Sequence, residues 1–240
     1  MGTAAFESVS TWKSPTPPPA SGERTRLLAE VADRVLARSA GRLRVIVDGR
    51  TGSGKTTLAD ELAATVRSAG RPTLRASLDD FKRTWAHARE HGYDRVSGEG
   101  YYRNAPDFAS TRDLLLAPAG PMGSGVVALC AYDPLTGEDH RGTTVIAPDD
   151  AVLVVDSVFG MRPEFDEFSD HRIWVEMDRG AALARGIERD VALEGRAEAE
   201  RLHRDRYQVG EDLYIAEVDP LALADTIIDN TMFARPLLVR

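Results

Sequence analysis

Cysteine is almost missing from this sequence: Cys130 stands alone among 240 residues, which excludes an internal disulfide. Its neighbours Leu129 and Ala131 are apolar, so the expectation is a buried, inert thiol and not a nucleophile. Long hydrophobic runs are missing too. None approaches the roughly 20 residues needed to cross a bilayer. The first 20 residues hold Trp12 and a run from Pro15 to Pro19 but no apolar stretch of the kind a secretory signal needs. The expectations are a cytoplasmic location and no membrane partner. Excess positive charge is the third absence. With 30 Lys and Arg against 38 Asp and Glu, the net charge is −8, and nucleic-acid surfaces are usually basic, so nucleic acid is not an expected partner. No repeat of 20–50 residues is visible. What is present is an ordinary globular composition, 42% hydrophobic and 28% charged. It suffices for one full core, with or without a small lid.

The stretch that organises the rest is Leu43 to Leu62, LRVIVDGRTGSGKTTLADEL. Val45-Ile46-Val47 is long enough for one buried parallel strand. Gly49 to Thr56 fits G-x-x-x-x-G-K-[ST] at every fixed position. Leu58, Leu62 and Val66 recur every four residues, one face of a helix. In that strand–loop–helix order the glycines Gly49, Gly52 and Gly54 let the backbone turn and aim N–H groups inward. Thr51, Ser53, Lys55, Thr56 and Thr57 complete a cradle at a helix N-terminus, where the dipole also favours phosphate. Lys55 can reach the β- and γ-phosphates, and the Thr56 hydroxyl can ligate Mg²⁺.

Around it, residues 1–22 read as a flexible lead-in, because SPTPPPASG is too proline-rich to join a helix or sheet. Ser21 or Gly22 can cap a helix over 23–39 with the stripe Leu27, Val31, Val35. Thr73 to Leu78 alternates as a second strand and delivers Asp79-Asp80-Phe81 at its carboxyl end, the rim where open parallel sheets bind ligands. An N-cap or a surface turn is the competing reading of Asp79. Residues 82–106 show little periodicity and read as a polar, aromatic loop. A helix over 107–116, a strand over 126–131, a loop through His140-Arg141 and a short strand over 143–147 follow. The apolar run Ala151 to Val155 ends in Asp156, the acid a P-loop enzyme needs on the far side of Mg²⁺. After a strand over 171–177, Arg185 and Arg189 lie about 40° apart on a helical wheel, and Arg196 about 20° away if the helix persists that far, opposite Leu183, Ile187 and Val191. The face suits either solvent or a lid that neutralises phosphate. A second helix over 197–206, a short helix over 219–224 and a last strand over 226–228 complete the pattern. The resulting fold class is α/β: a three-layer P-loop NTPase with a mainly parallel central sheet, spanning 23–240, and a small helical lid over about 179–207.

Taken together, DGRTGSGKTT, LDDFKR, GYYRNAPDF, VLVVDSVF and ARGIERD resemble the uridine kinase family, close to phosphoribulokinase and bacterial pantothenate kinase, and within it actinobacterial uridine kinase-like proteins. The resemblance runs from about Leu43 to Asn230, and only the P-loop is highly specific. It implies phosphoryl transfer from ATP or GTP, with Mg²⁺, to the hydroxyl of a small molecule, typically a nucleoside. It implies Asp79 as the carboxylate that takes the hydroxyl proton near Mg²⁺, Asp156 as a metal-associated acid, and Arg185 and Arg189 as lid arginines on the phosphates. Tyr102, Asp107, Tyr132 and His140 fall near family positions that contact the nucleoside. Two departures lie on the acceptor side: Asn104 stands where the family has an acid that holds ribose hydroxyls, and Lys82 where an aromatic is common. The chain lacks N-K-x-D and L-S-G-G-Q, against a GTPase or a transporter ATPase; a non-kinase P-loop ATPase and a silent nucleotide sensor remain the rival readings. Other acceptors in view are a sugar phosphate and a pantothenate-like acid. By analogy with the fold group, a homo-oligomer is open.

Overall fold

The computed structural model describes residues 3–240. The chain opens with β1 (Ala5–Glu7) and α1 (Gly22–Leu36), then β2 (Leu43–Gly49), α2 (Lys55–Ser68) and β3 (Thr73–Ser77). A 3₁₀ turn, Leu78–Phe81, leads to α3 (Trp85–Glu90), α4 (Gly98–Asn104) and α5 (Phe108–Ser110), which continues as a π-helical stretch, Thr111–Leu116. A hairpin of β4 (Val126–Ala128) and β5 (Thr144–Ile146) precedes β6 (Val152–Ser157) and β7 (His171–Glu176). Then come α6 (Arg179–Glu194), α7 (Arg196–Arg201), a second π stretch (Leu202–Tyr207) and α8 (Gln208–Val218). The short α9 (Pro220–Leu223), β8 (Thr226–Asp229) and β9 (Leu237–Leu238) finish it.

Seven strands form one sheet in the order β1-β3-β6-β2-β7-β8-β9, parallel throughout except for β9. The centre of that sheet is buried on both faces, and the alternation of side chains explains why its strands are apolar at every position. Val45, Val47 and Val154 point to a core shared with the α1 stripe and with Leu58, Leu62 and Val66 of α2. Ile46, Leu153 and Val155 point the other way, onto Leu115, Leu116, Val127 and Phe165. Each such side chain contributes roughly 1.5–3 kcal/mol of burial. A third, aromatic cluster of Tyr101, Tyr102, Phe159, Trp174 and Tyr214 lies under α4 and α8. The register aligns Val47 and Ser77 with Asp156, so the P-loop root, the β3 end and Asp156 share one rim.

The structure departs from the sequence reading in several places. The segment expected as a lead-in supplies β1, whose Ala5–Glu7 pairs with Thr73–Arg75; the proline-rich part proper carries no helix or strand before α1. The aperiodic stretch 82–106 contains α3 and α4, each too short to show a stripe and each started by a hydroxyl cap, Thr84 or Ser97. The 126–131 strand stops at Ala128 and pairs with β5 as a separate antiparallel hairpin. The helix at 197–206 does not end there: it passes through the π stretch into α8, which reaches Val218. The tail after β8 returns to pair Leu237 with Asp229.

Candidate active site

The loop Gly49–Thr56 joins the carboxyl end of β2 to the first turn of α2. Gly52 (φ 86°) and Gly54 (φ 89°) adopt left-handed backbone that only glycine takes freely. Both also lie against other chain segments. A Cβ on Gly52 would collide with the Ala182 carbonyl of α6, and one on Gly54 would lie 2.5 Å from Asn230 Nδ2. Gly52→Ala is therefore expected to push α6 off the loop, raising KM for the nucleotide and lowering the melting temperature together, at a cost of about 1–3 kcal/mol. Ligand-free structure and stability equal to the wild type's would contradict this.

Three side chains that the sequence analysis did not single out clamp the loop. Asn230 donates from Nδ2 to the Ser53 carbonyl at 2.7 Å, and its Oδ1 accepts from Arg24 Nη1 at 2.8 Å. Arg24 is itself fully buried and paired with Glu61. Glu211 of α8 accepts from the Thr51 N–H at 2.7 Å and lies 3.6 Å from Arg50. Asp48, with no exposed surface, accepts from Gly49 N–H, Gly160 N–H and the Tyr214 hydroxyl at 2.7, 2.7 and 2.6 Å. Burial raises its pKa to about 6, while Tyr214, the Gly49 N–H and the charge of Lys55 pull it back. An acidic residue closing an apolar strand was the one available hint of Asp48, the same signal that marks Asp156.

Thr56 Oγ1 donates to Asp156 Oδ2 at 2.7 Å. The other carboxylate oxygen, Oδ1, is buried without a directed hydrogen bond, although Arg75 Nη2 lies 2.7 Å from it. The hydroxyl of Ser53 is also buried and unpartnered. Among the described residues no group of three or more His, Cys, Asp or Glu is arranged to hold a metal alone. A hydroxyl and a carboxylate in contact, with lone pairs to spare beside a phosphate cradle, nevertheless fit Mg²⁺, which takes few protein ligands and completes its shell with phosphate and water.

Asp79 stands at the end of β3 in the 3₁₀ turn, its side chain 46% exposed and 2.7 Å from Lys82 Nζ. The crowding around it opposes ionisation, but Lys82, with Lys55 and Arg189 acting at longer range, outweighs that and holds the carboxyl below its usual range. Beneath it lies an apolar recess of about 20 Å³ whose walls include Leu78, Phe81, Lys82, Val158 and Phe159. Its neighbour Asp80 points elsewhere, accepting from Ser8 Oγ at 2.8 Å.

On α6, Arg189 pairs with the adjacent Asp190 at 2.6 Å, and Asp190 also meets the buried His203 at 2.8 Å. The counter-ion of Arg189 is thus the next residue in sequence, turned back along the helix. Burial opposes ionisation of Asp190, yet His203 and Arg189 bring its pKa down to about 2. Among the described residues Arg185 meets no carboxylate; it donates to the Thr231 carbonyl at 2.7 Å. Arg196 pairs with Glu188 and Glu200 and faces solvent.

The acceptor-side residues are more scattered. Tyr102, at 2% exposure, packs edge-on to Phe159 in the aromatic core, so its ring walls no cleft. Asn104 donates to the Asp94 carbonyl at 2.7 Å. Asp107 caps α5 through Ser110, an N-cap role typical of Asp. Tyr132 lies under Arg141, and the His140 ring is 3.8 Å from Glu138, both in the loop that joins β4 to β5. Cys130 is buried and its thiol is pushed up to about 12 by burial, an inert group. No helix among the described residues is long and apolar enough to cross a membrane.

With this geometry in view, the chain is similar to several solved structures, two of them named as kinases. A protein named as a possible uridine kinase from Bacillus stearothermophilus matches at 25% identity and TM-score 0.63, covering 84% of this chain and 97% of that one. A protein named as a candidate fructose transport system kinase from Silicibacter sp. TM1040 matches at 20% identity and TM-score 0.64, with 79% and 94% covered. The YGR205w protein matches at 15% identity and TM-score 0.61, with 85% and 92% covered. The last two likenesses are of fold alone. No family model matches the chain, and no curated protein matches it. The fold is that of a P-loop kinase, with the loop Gly49–Thr56 joining β2 to α2 at the rim of the sheet.

Proposed function

We propose that this protein is an ATP-dependent kinase that transfers the γ-phosphoryl group to the hydroxyl of a small molecule. The observation that carries the reading is Asp79: an ionised, accessible carboxylate on the rim it shares with the P-loop and with the Thr56–Asp156 pair. A pure nucleotide holder has no use for a base there.

The chain's own groups divide the work. Loop N–H groups from Gly52 to Thr57 and the ammonium of Lys55 hold the triphosphate. Thr56 and Asp156 would hold Mg²⁺, which supplies charge neutralisation across the phosphates. Asp79 orients the acceptor alcohol and takes its proton as the new O–P bond forms. The bond from Pγ to the bridging oxygen breaks, and ADP leaves with that electron pair. Arg189, held by Asp190 and His203, and Arg185 supply positive charge from α6 and exclude water. A nucleoside is the acceptor that the family resemblance implies. Tyr102 and Asn104, however, are committed to contacts within the protein.

The test is ADP release with Mg-ATP and a panel of nucleosides, sugars and sugar phosphates. ADP should appear in proportion to a phosphorylated acceptor. Acceptor-independent ADP release at the same rate would make the protein an ATPase instead.

A further inference from the structure

Strand β3 is buried between β1 and β6, yet one of its faces is polar: Thr73, Arg75 and Ser77 alternate with Leu74 and Ala76. Leu74 and Ala76 join the core on their side. On the other side Arg75 lies in the wall of a cavity of about 340 Å³, together with Thr56 and Asp60 of α2 and with Asp156. An arginine placed there is costly to desolvate unless its charge is answered. Two carboxylates answer it, those of Asp60 and Asp156. With its side chain 12% exposed, Arg75 donates from Nε to Asp60 Oδ1 at 2.7 Å and from Nη1 to the Ala76 carbonyl. Its Nη2 lies 2.7 Å from Asp156 Oδ1 and donates to the Thr56 carbonyl at 3.4 Å. Arg75 thus touches both residues of the pair that fits Mg²⁺.

The contact with Asp156 compensates charge without using the lone pair. The two groups are at ion-pair distance, but no donor is directed at Oδ1. In a site where Asp156 is only 3% exposed, a guanidinium at this distance holds the carboxylate as a bound cation does. A divalent ion at the Thr56–Asp156 pair therefore meets a carboxylate that is already shared, with a fixed positive charge beside it. Mg²⁺ draws few ligands from protein and relies on substrate phosphates and water for the rest. Asp60 acts on the same balance from outside: its side chain, 54% exposed, draws part of the guanidinium away from Asp156. Lys13 and Arg67 stand in the same walls, but among the described residues neither pairs with Asp156.

We infer that Arg75 is a positioning residue of the metal site: it holds Asp156 in place and keeps Mg²⁺ from binding there without a polyphosphate. This rests on the metal pair of the kinase reading and adds the regulation of that pair. In the nucleotide-free protein Arg75 outcompetes the ion for Asp156. With phosphates in the loop, their negative charge tips the balance and the ion is retained. The metal then arrives with the nucleotide and not ahead of it.

Mn²⁺, followed as the free ion by electron paramagnetic resonance, is titrated into the full chain with and without the β,γ-imido analogue of ATP. Without nucleotide, Arg75→Gln should bind Mn²⁺ roughly tenfold or more tighter than the wild type, since a unit charge beside a divalent ion matters even when largely screened. A gain in affinity is not what a damaged fold produces. With the analogue present the gain should shrink, and Asp60→Asn, which leaves Arg75 wholly to Asp156, should weaken binding severalfold. Lys13→Gln removes a charge from the same cavity and should leave both titrations unchanged. MgCl₂ should raise the melting temperature of Arg75→Gln more than that of the wild type. Should Arg75→Gln fail to fold, Asp60→Asn, altered at an exposed side chain, still carries a shift of stated sign. Equal Mn²⁺ affinity in wild type and Arg75→Gln, an equal gain in Lys13→Gln, or unchanged or tighter binding in Asp60→Asn overturns the inference. The stated shifts with no phosphorylated acceptor formed from Mg-ATP would overturn the kinase reading and leave this one standing; phosphoryl transfer with unshifted Mn²⁺ affinities would do the reverse.

Discussion

Asp79→Asn is expected to lower the rate of phosphoryl transfer by roughly 10²–10⁴, the range that a positioned general base supplies. Asn keeps the size and one acceptor oxygen, so the contact with Lys82 Nζ survives in weakened form and the turn Leu78–Phe81 is undisturbed. KM for ATP should therefore stay near the wild-type value while kcat falls, a split that marks an interaction made in the transition state. Lys55→Ala tests the other half. Lys55 is 7% exposed at the first turn of α2, and losing it should cost about a thousandfold in kcat, as loss of one preorganised donor to a developing anion does. Circular dichroism of both variants should match the wild type. Normal turnover by Asp79→Asn would remove the base assignment; normal turnover by Lys55→Ala would remove the nucleotide site itself.

How much of this could be read from the residues depends on whether each signal is local. The P-loop is local: eight consecutive positions dictate a backbone path, so its place between β2 and α2 was legible. Asp79 and Asp156 were legible because each closes an apolar strand, and parallel sheets gather strand ends on one rim. The clamp was not. Glu211 reaches Thr51 across 160 positions and Asn230 reaches Ser53 across 177, and nothing near either residue announces that partner. Helices α3 and α4 escaped because six or seven residues cannot display a 3.6-residue stripe; only their hydroxyl caps betray them. Of the arginine stripe, Arg185 and Arg189 lie on α6, but Gly195 (φ 77°) breaks that helix and Arg196 opens α7; the counter-ion of Arg189 is the adjacent Asp190, a pairing that helical-wheel spacing does not anticipate. Lys82 was noticed as a departure from the family, yet its contact with Asp79 depends on the 3₁₀ turn placing the two three positions apart on one side.

Asp48→Ala should destabilise the protein by about 3–5 kcal/mol, because it strands the Gly49 and Gly160 N–H groups and the Tyr214 hydroxyl in a site with no exposed surface. Those donors come from the P-loop, from the turn after β6 and from α8, so the loss should loosen the loop and weaken nucleotide binding as well. Asp48→Asn separates charge from geometry. With its pKa raised from 3.8 to about 6 by burial, the folded protein binds one more proton than the unfolded chain between those values. Stability from this group is thus full below about pH 4 and falls as pH rises through about 6, by at most about 1.4 kcal/mol per pH unit. Asp80, raised to about 7 mainly by burial, adds a slope of the same sign that the Asn substitution leaves in place. The reading is therefore the difference between wild type and Asp48→Asn in urea unfolding at pH 4, 5, 6 and 7. It should move in favour of the variant up to about pH 6 and then level off. A difference independent of pH would mean that the buried carboxyl is ionised throughout, its four donors being enough to offset its burial.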